Sequence, residues 1–255
     1  MVCSRLFVPL NLFRRYCGSC WAFSATSVLA DRWNVRSRGS GSPPPGLVLS
    51  TQNVLSCGND LVGCGTCSGG DDASVFVYAQ QHGIPHESCS NYMARDTTCQ
   101  ANLAIGGDNR PNCYNCDEEA SCYAIREYHR LFVREGSIGT LSGGPAMKAE
   151  ILSNGPISCG IMATRAMEHS YSGGIFSEPP SETDSRINHV VEVVGWGVDA
   201  LNNEYWHVRN SWGTEWGEDG FMRIVSSANL GPAGVGNNLV ETECTYATPD
   251  RYAYR

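Results

Sequence analysis

Thirteen cysteines in 255 residues leave this chain few ways to fold. Such usage belongs to oxidising compartments, where disulfides persist. The cysteines crowd between Cys57 and Cys122, a stretch with little apolar periodicity, so staples stand in there for regular structure. The odd count leaves at least one thiol over. Hydrophobic residues make up 42% of the chain, enough for the core of one large domain or of two lobes. Charged residues are 17% and the net charge is −8. That argues against a nucleic-acid partner, which would need a basic patch. No apolar run approaches the ~20 residues that span a bilayer. The apolar piece at 6–10 is short and Arg14 and Arg15 follow it, which does not make a secretory signal.

The apolar period changes partway along the chain. From Cys20, the residues Trp21, Ala25, Leu29 and Trp33 recur every four positions and predict a helix, ended by Gly39 and the prolines at 43–45. Ser50 is placed to cap a short helix through Leu55. Asp71 and Asp72 open another, with Val75, Tyr78, Ala79 and His82 on its apolar face and Gly83 closing it. A last helix is expected near 145–153. After that the period becomes two: Ile157, Cys159 and Ile161 alternate, as do Phe221, Arg223 and Val225. Residues 189–196 and 204–210 are rich in Val, Tyr and Trp, with a turn between them. A helical first half and an antiparallel second half argue for an α+β fold with two segregated lobes.

If 189–196 and 204–210 form one hairpin centred near residue 200, facing residues have numbers summing to about 400. His189 and Asn210 then lie side by side at the end away from the turn. An amide beside an imidazole fixes its tautomer and ring orientation. Cys20 opens a predicted helix, whose positive end favours a thiolate. A neighbouring His⁺ lowers the thiol pKa further and supplies the proton for a leaving amine. Each residue also has an ordinary reading: Cys20 as half of a disulfide, His189 as a strand-end histidine, Asn210 and Gly69-Gly70 as turn residues, Trp212 as core.

Four motifs, in order, carry a resemblance. Cys17-Gly18-Ser19-Cys20-Trp21-Ala22-Phe23-Ser24 resembles the nucleophile signature of the papain-like cysteine peptidases. Asn188-His189-Val190-Val191 with Gly195-Trp196-Gly197 resembles their histidine strand. Tyr205-Trp206-His207-Val208-Arg209-Asn210-Ser211-Trp212-Gly213, continued by Trp216-Gly217-Glu218-Asp219-Gly220, resembles their asparagine strand. Cys67-Ser68-Gly69-Gly70 is similar to the glycine wall that pairs with substrate backbone. Within the family the likeness is to the cathepsin X (cathepsin Z) branch. It is carried by Ala30-Asp31-Arg32, Gln52-Asn53-Val54, Gln81-His82-Gly83-Ile84-Pro85, Ala124-Ile125-Arg126, Leu141-Ser142-Gly143 and the run at 154–164.

The resemblance implies a papain-like, two-lobed α+β peptidase domain with the active cleft between the lobes. The expected boundaries are an atypical segment at 1–16, a domain at 17–246 and a tail at 247–255, with the helical lobe about 17–125 and the β-rich lobe about 126–246. It implies Cys20 as nucleophile, His189 as acid and base, Asn210 as its orienter, and Trp212 as a lid over that pair. Gly69, Gly70 and Met162 become substrate-binding residues. The implied disulfides are Cys17–Cys67, Cys57–Cys99, Cys89–Cys113, Cys116–Cys122 and Cys159–Cys244, leaving Cys3, Cys20 and Cys64 unpaired, with Cys64 and Cys67 able to exchange roles. The branch removes single residues from peptide C-termini in acidic endolysosomal compartments, so peptide or protein substrates, a monomer, no cofactor, no metal and a lysosomal or secreted location are expected.

The chain departs from the branch before Cys17. The family's oxyanion glutamine is replaced by Asn11, the same amide on a shorter stem, so Cys20 N–H and Asn11 are the candidate oxyanion donors. The branch's His-Ile-Pro loop, which grips a substrate C-terminal carboxylate, reads Leu12-Phe13-Arg14 here. Arg14 or Arg15 can hold a carboxylate bidentately. The segment 1–15 reads as a false or alternative start. Rival readings are a papain-like endopeptidase, a non-catalytic binder, a redox protein using Cys17-Gly18-Ser19-Cys20, and a zinc site built from Cys64, Cys67, Cys113 and Cys116. The redox reading lacks a strand before its motif, and the zinc spacing far exceeds that of a ribbon.

Overall fold

The computed structural model describes residues 17–37, 46–99, 113–116, 122–125, 127–178, 186–230 and 236–254, without the side chains of 114–116 and 122–124. Helices α1 (Cys20–Ser37), α2 (Thr51–Asn53), α3 (Asn59–Val62) and α4 (Asp72–Gln81) dominate the first part, with β1 (Gly65–Thr66), β2 (Gly69–Gly70) and β3 (Ile84–Pro85) between and after them. Two short strands, β4 (Cys113–Cys116) and β5 (Cys122–Ile125), pair antiparallel. Then come β6 (Arg130–Val133), β7 (Gly139–Leu141), α5 (Gly144–Asn154), β8 (Ile157–Ile161), α6 (Arg165–Ser170) and β9 (Ile175–Phe176). The chain finishes with β10 (His189–Val198), β11 (Glu204–Arg209), β12 (Phe221–Val225), β13 (Cys244–Tyr246) and β14 (Pro249–Ala253).

Local chemistry sets the helix ends. Asp71 accepts a hydrogen bond from Ser74 N–H at 2.8 Å and caps α4, satisfying one of the donors a helix start leaves over. Ser50 does the same for Asn53 N–H at 3.0 Å. After α2 the backbone widens into a π turn over Val54–Gly58, so the single short helix expected there is three unlike turns. α1 buries Trp21, Ala22, Ala25, Val28 and Leu29, while Trp33, the last of the period-four set, is only partly buried.

The main sheet has seven strands in the order β7-β13-β8-β10-β11-β12-β9, with β9 parallel to β12. A three-stranded sheet runs β14-β6-β3. Two apolar cores result. One gathers Trp21, Leu29, Leu55, Phe76, Tyr78 and Leu131 around α1 and α4. The other gathers Ile157, Ile161, Val193, Trp206, Met222 and Val240 against the main sheet. β10 is their shared wall: Val190 belongs to the first core, while Val191 and Val193 belong to the second. A strand's two-residue period produces that division.

Residues 249–253, within the expected tail, form β14 against β6. Two details of the sheet differ from the spacing. On β12 the buried positions are Met222, Ile224 and Val225, and Phe221 and Arg223 are only half-buried. The hairpin is longer by one residue on β10, where a bulge falls between Val193 and Gly195 and the ladder ends at Glu192 opposite Arg209. Sequence composition carries no signal for a bulge of this kind.

Disulfides join Cys17–Cys67, Cys57–Cys99, Cys89–Cys113 and Cys159–Cys244 among the described residues. Cys116 and Cys122 are backbone partners across β4 and β5, but their side chains lie outside the described residues, as does Cys3. Cys64 is a free, buried thiol, pushed up to about 12 by burial and by Asp71.

Candidate active site

β10 starts with His189 and α1 starts with Cys20, and these two elements pack against one another. No acidic residue sits in the first turn of α1 to cancel its positive end. The preceding loop is fixed from two sides. Gly18 N–H donates to Cys67 O at 2.7 Å, beside the Cys17–Cys67 disulfide. Trp21 Nε1–H donates back to Gly18 O at 3.0 Å. Ser19 Oγ lies 2.7 Å from Tyr92 Oη, and the Tyr92 ring meets Phe23 edge-on at 4.7 Å.

His189 Nε2 lies 2.8 Å from Asn210 Oδ1. The same oxygen accepts Ser211 N–H at 2.8 Å, so the amide is oriented from both sides. Since a carboxamide oxygen only accepts, Nε2 carries the proton and Nδ1 keeps its lone pair. Nδ1 is buried with no hydrogen-bond partner. The Trp212 ring stacks on the imidazole at 4.8 Å and 24°, and Trp216 meets Trp212 edge-on at 4.7 Å. His189 is wholly buried, and burial pulls its pKa down to about 4 although the Asn210 bond opposes this. A neutral imidazole with an open lone pair is a proton acceptor.

Cys20 is 2% exposed, and its sulfur is engaged in a disulfide. The ordinary reading of that cysteine therefore describes this state, and the expectation that Cys20 is unpaired is corrected. A thiolate nucleophile forms only after that bond is reduced.

Around the pair, β1 and β2 place Gly69 and Gly70 beside α1. A Cβ at Gly70 would lie 2.4 Å from the Trp21 ring, so no other residue fits there without moving the indole. Met162 is buried, its N–H donates to Asn238 O at 2.8 Å, and its carbonyl accepts Asn238 Nδ2 at 3.1 Å. Ala163 is held by Asn188, which accepts its N–H at 2.7 Å and donates to its carbonyl at 2.9 Å. Asn238 was not singled out in the sequence, and Asn188 was read only as the first residue of the histidine-strand motif. Asn11, Arg14 and Arg15 lie outside the described residues. Among the described residues no group of His, Cys, Asp and Glu is placed to hold a metal, and no helix is long and apolar enough to cross a membrane.

Residues 13–248 match the family described as Papain family cysteine protease. The chain is 43% identical over 236 residues to Cathepsin Z of Onchocerca volvulus, covering 92% of this chain and 70% of that one. It is 30% identical to Cathepsin K of Mus musculus over 84% of this chain and 55% of that one. A solved structure of a cysteine protease from Carica candamarcensis, in complex with E-64, superposes with a TM-score of 0.64 at 26% identity, covering 92% of this chain and 91% of that one.

Proposed function

Because the chain belongs to the papain family of cysteine proteases, we propose that it hydrolyses peptide bonds through Cys20, His189 and Asn210, and that it removes single residues from peptide C-termini. The observation that carries the reading is the oriented imidazole: His189 held by Asn210 at 2.8 Å, covered by Trp212, on the strand that packs against the helix opened by Cys20. Once reduced, Cys20 gives its proton to the unpartnered Nδ1 of His189, and the thiolate attacks the scissile carbonyl. The imidazolium then protonates the leaving amine, and a water made nucleophilic by the neutral ring hydrolyses the thioester. The backbone N–H of Cys20, at a helix start, and the Asn11 amide are the proposed oxyanion donors.

Exopeptidase specificity is supported by the 43% identity to a protein named Cathepsin Z. Gly69, Gly70 and Met162 line the proposed substrate path, and Arg14 is the proposed grip on the substrate carboxylate. The described disulfides fit an oxidising compartment, and a lysosomal or secreted monomer is proposed. The disulfide at Cys20 favours one second reading, a papain-like binder whose nucleophile stays blocked.

Mass spectrometry of one short peptide, as free acid and as C-terminal amide, tests this at acidic pH with a reductant present. Stepwise loss of C-terminal residues from the free acid alone, absent in Cys20→Ala, is the expected result. Internal cuts in both peptides would replace the carboxypeptidase by an endopeptidase. A folded, reduced protein that cuts neither is the binder.

A further inference from the structure

Three charged side chains meet where α1 crosses β10, and the chemistry above does not use them. Arg209 Nη1 lies 2.9 Å from Glu192 Oε2 and 2.8 Å from Asp31 Oδ2. Glu192 and Arg209 are direct cross-strand partners on β10 and β11, while Asp31 comes from α1. The Glu192 side chain is 1% exposed. Two carboxylates on one guanidinium leave a negative charge uncompensated. Of the three groups Glu192 is the one shut off from water, since Arg209 and Asp31 are 36% and 27% exposed; a charge on Glu192 is therefore the costly one. Glu192 Oε1 is buried and receives no donor. A carboxyl so placed is less costly neutral than charged, which means holding a proton.

We infer that Glu192, holding that proton, is a positioning residue that clamps α1 to β10 and thereby sets Cys20 against His189. The alignment half of this inference rests on the peptidase reading; the clamp itself does not. Burial, opposed by Arg209 and aided by Asp31, raises the Glu192 carboxyl to about 8. Other charges around β10 are engaged elsewhere. Arg32 on α1 pairs with Glu150 of α5 at 2.9 Å, and Lys148 of α5 pairs with Glu204 at 2.6 Å. On the β8 side, Ser158 faces Glu192 and donates to the half-buried Asp72 of α4. The native state thus keeps a proton that an unfolded glutamate loses near pH 4.3. Stability from this group is complete below that pH and falls as pH rises through about 8.

Thermal unfolding of the full chain from pH 5 to 9, with wild type beside Glu192→Gln and Asp31→Asn, tests the clamp. Glutamine reproduces the protonated acid, and either variant leaves one carboxylate for one guanidinium. Wild type should lose roughly 5–10 °C of Tm between pH 6 and 8, and each variant about half of that or less. Relative to wild type, peptide cleavage by Glu192→Gln should extend to higher pH. Variants whose Tm follows wild type across the range overturn the clamp, as does a Glu192→Gln protein destabilised equally at pH 5 and pH 8. Asp31→Asn leaves the buried position untouched and decides the matter if Glu192→Gln does not fold. Unfolding is read without substrate, so a protein that titrates as expected but cuts nothing refutes the peptidase reading alone.

Discussion

The two walls that meet at the candidate site are held together by different means. On the α1 side, the Cys17–Cys67, Cys57–Cys99 and Cys89–Cys113 bridges tie loops and single turns that have few backbone ladders of their own. On the sheet side, Cys159–Cys244 joins residues that are already register partners on β8 and β13. That wall draws its order from seven strands, from Trp206 and from Glu241, which accepts Trp206 Nε1–H at 2.7 Å, Ser227 N–H at 2.8 Å and Gly144 N–H at 3.1 Å. Covalent bonds appear where non-local hydrogen bonding is thin. Both walls then offer a rigid edge to the site, although one is built from loops.

The sharpest way to break the comparison is at the sheet wall's contribution to catalysis. Asn210→Ala leaves both cores untouched but frees the imidazole, and kcat should fall by about 10²–10⁴-fold, from the usual worth of an oriented acid–base group. Steady-state kinetics on a short peptide checks this, and a loss confined to KM would contradict it.

Next in size are the bridges. Removing Cys57–Cys99 or Cys159–Cys244, which close separations of 42 and 85, should cost about 4 and about 4.6 kcal/mol respectively by chain entropy. The two losses should differ in where they are felt. With Cys159 and Cys244 replaced by serine, the β8 and β13 amides stay protected from hydrogen exchange; with Cys57 and Cys99 replaced, residues 89–99 exchange fast. Equal protection in both variants would erase the distinction drawn here. The smallest effect is expected for Trp206→Phe, which keeps most of the ring but leaves the buried Glu241 short of one donor. A loss of about 1–3 kcal/mol in urea unfolding is expected, and a loss near zero would mean that Ser227 and Gly144 suffice.

How far the sequence could be read follows the same division. Segments whose form depends on neighbours in the chain were legible: the helix opened by Cys20, the Asp71 cap, the alternating β8 and the Glu204 strand. So was the family, whose motifs are local runs. His189 and Asn210 meet at 2.8 Å although the ladder that was to bring them together stops short of them. The turn after Arg209 closes the remaining distance, and no spacing rule contains it. The burial of Met222 in place of Phe221, and the pairing of β14 with β6, depend on what lies across space. The contact of Asp31 with Arg209 was invisible for the same reason, since the two are 178 positions apart by their numbers. At Cys20 the neighbouring motif outweighed the cysteine count and spoke for a free nucleophile, whereas its bridge depends on chain outside that motif.

The fit of Gly70 beneath the Trp21 ring also restricts how this sequence can drift. A side chain at 70 would meet the indole at 2.4 Å and the Cys64 carbonyl at 2.6 Å, so a smaller residue at 21 alone does not make room for one. A smaller residue there also forfeits the indole N–H that holds Gly18 O at 3.0 Å, one residue from Ser19 and two from Cys20. Position 70 is thus closed to any side chain from two directions, one of them backbone.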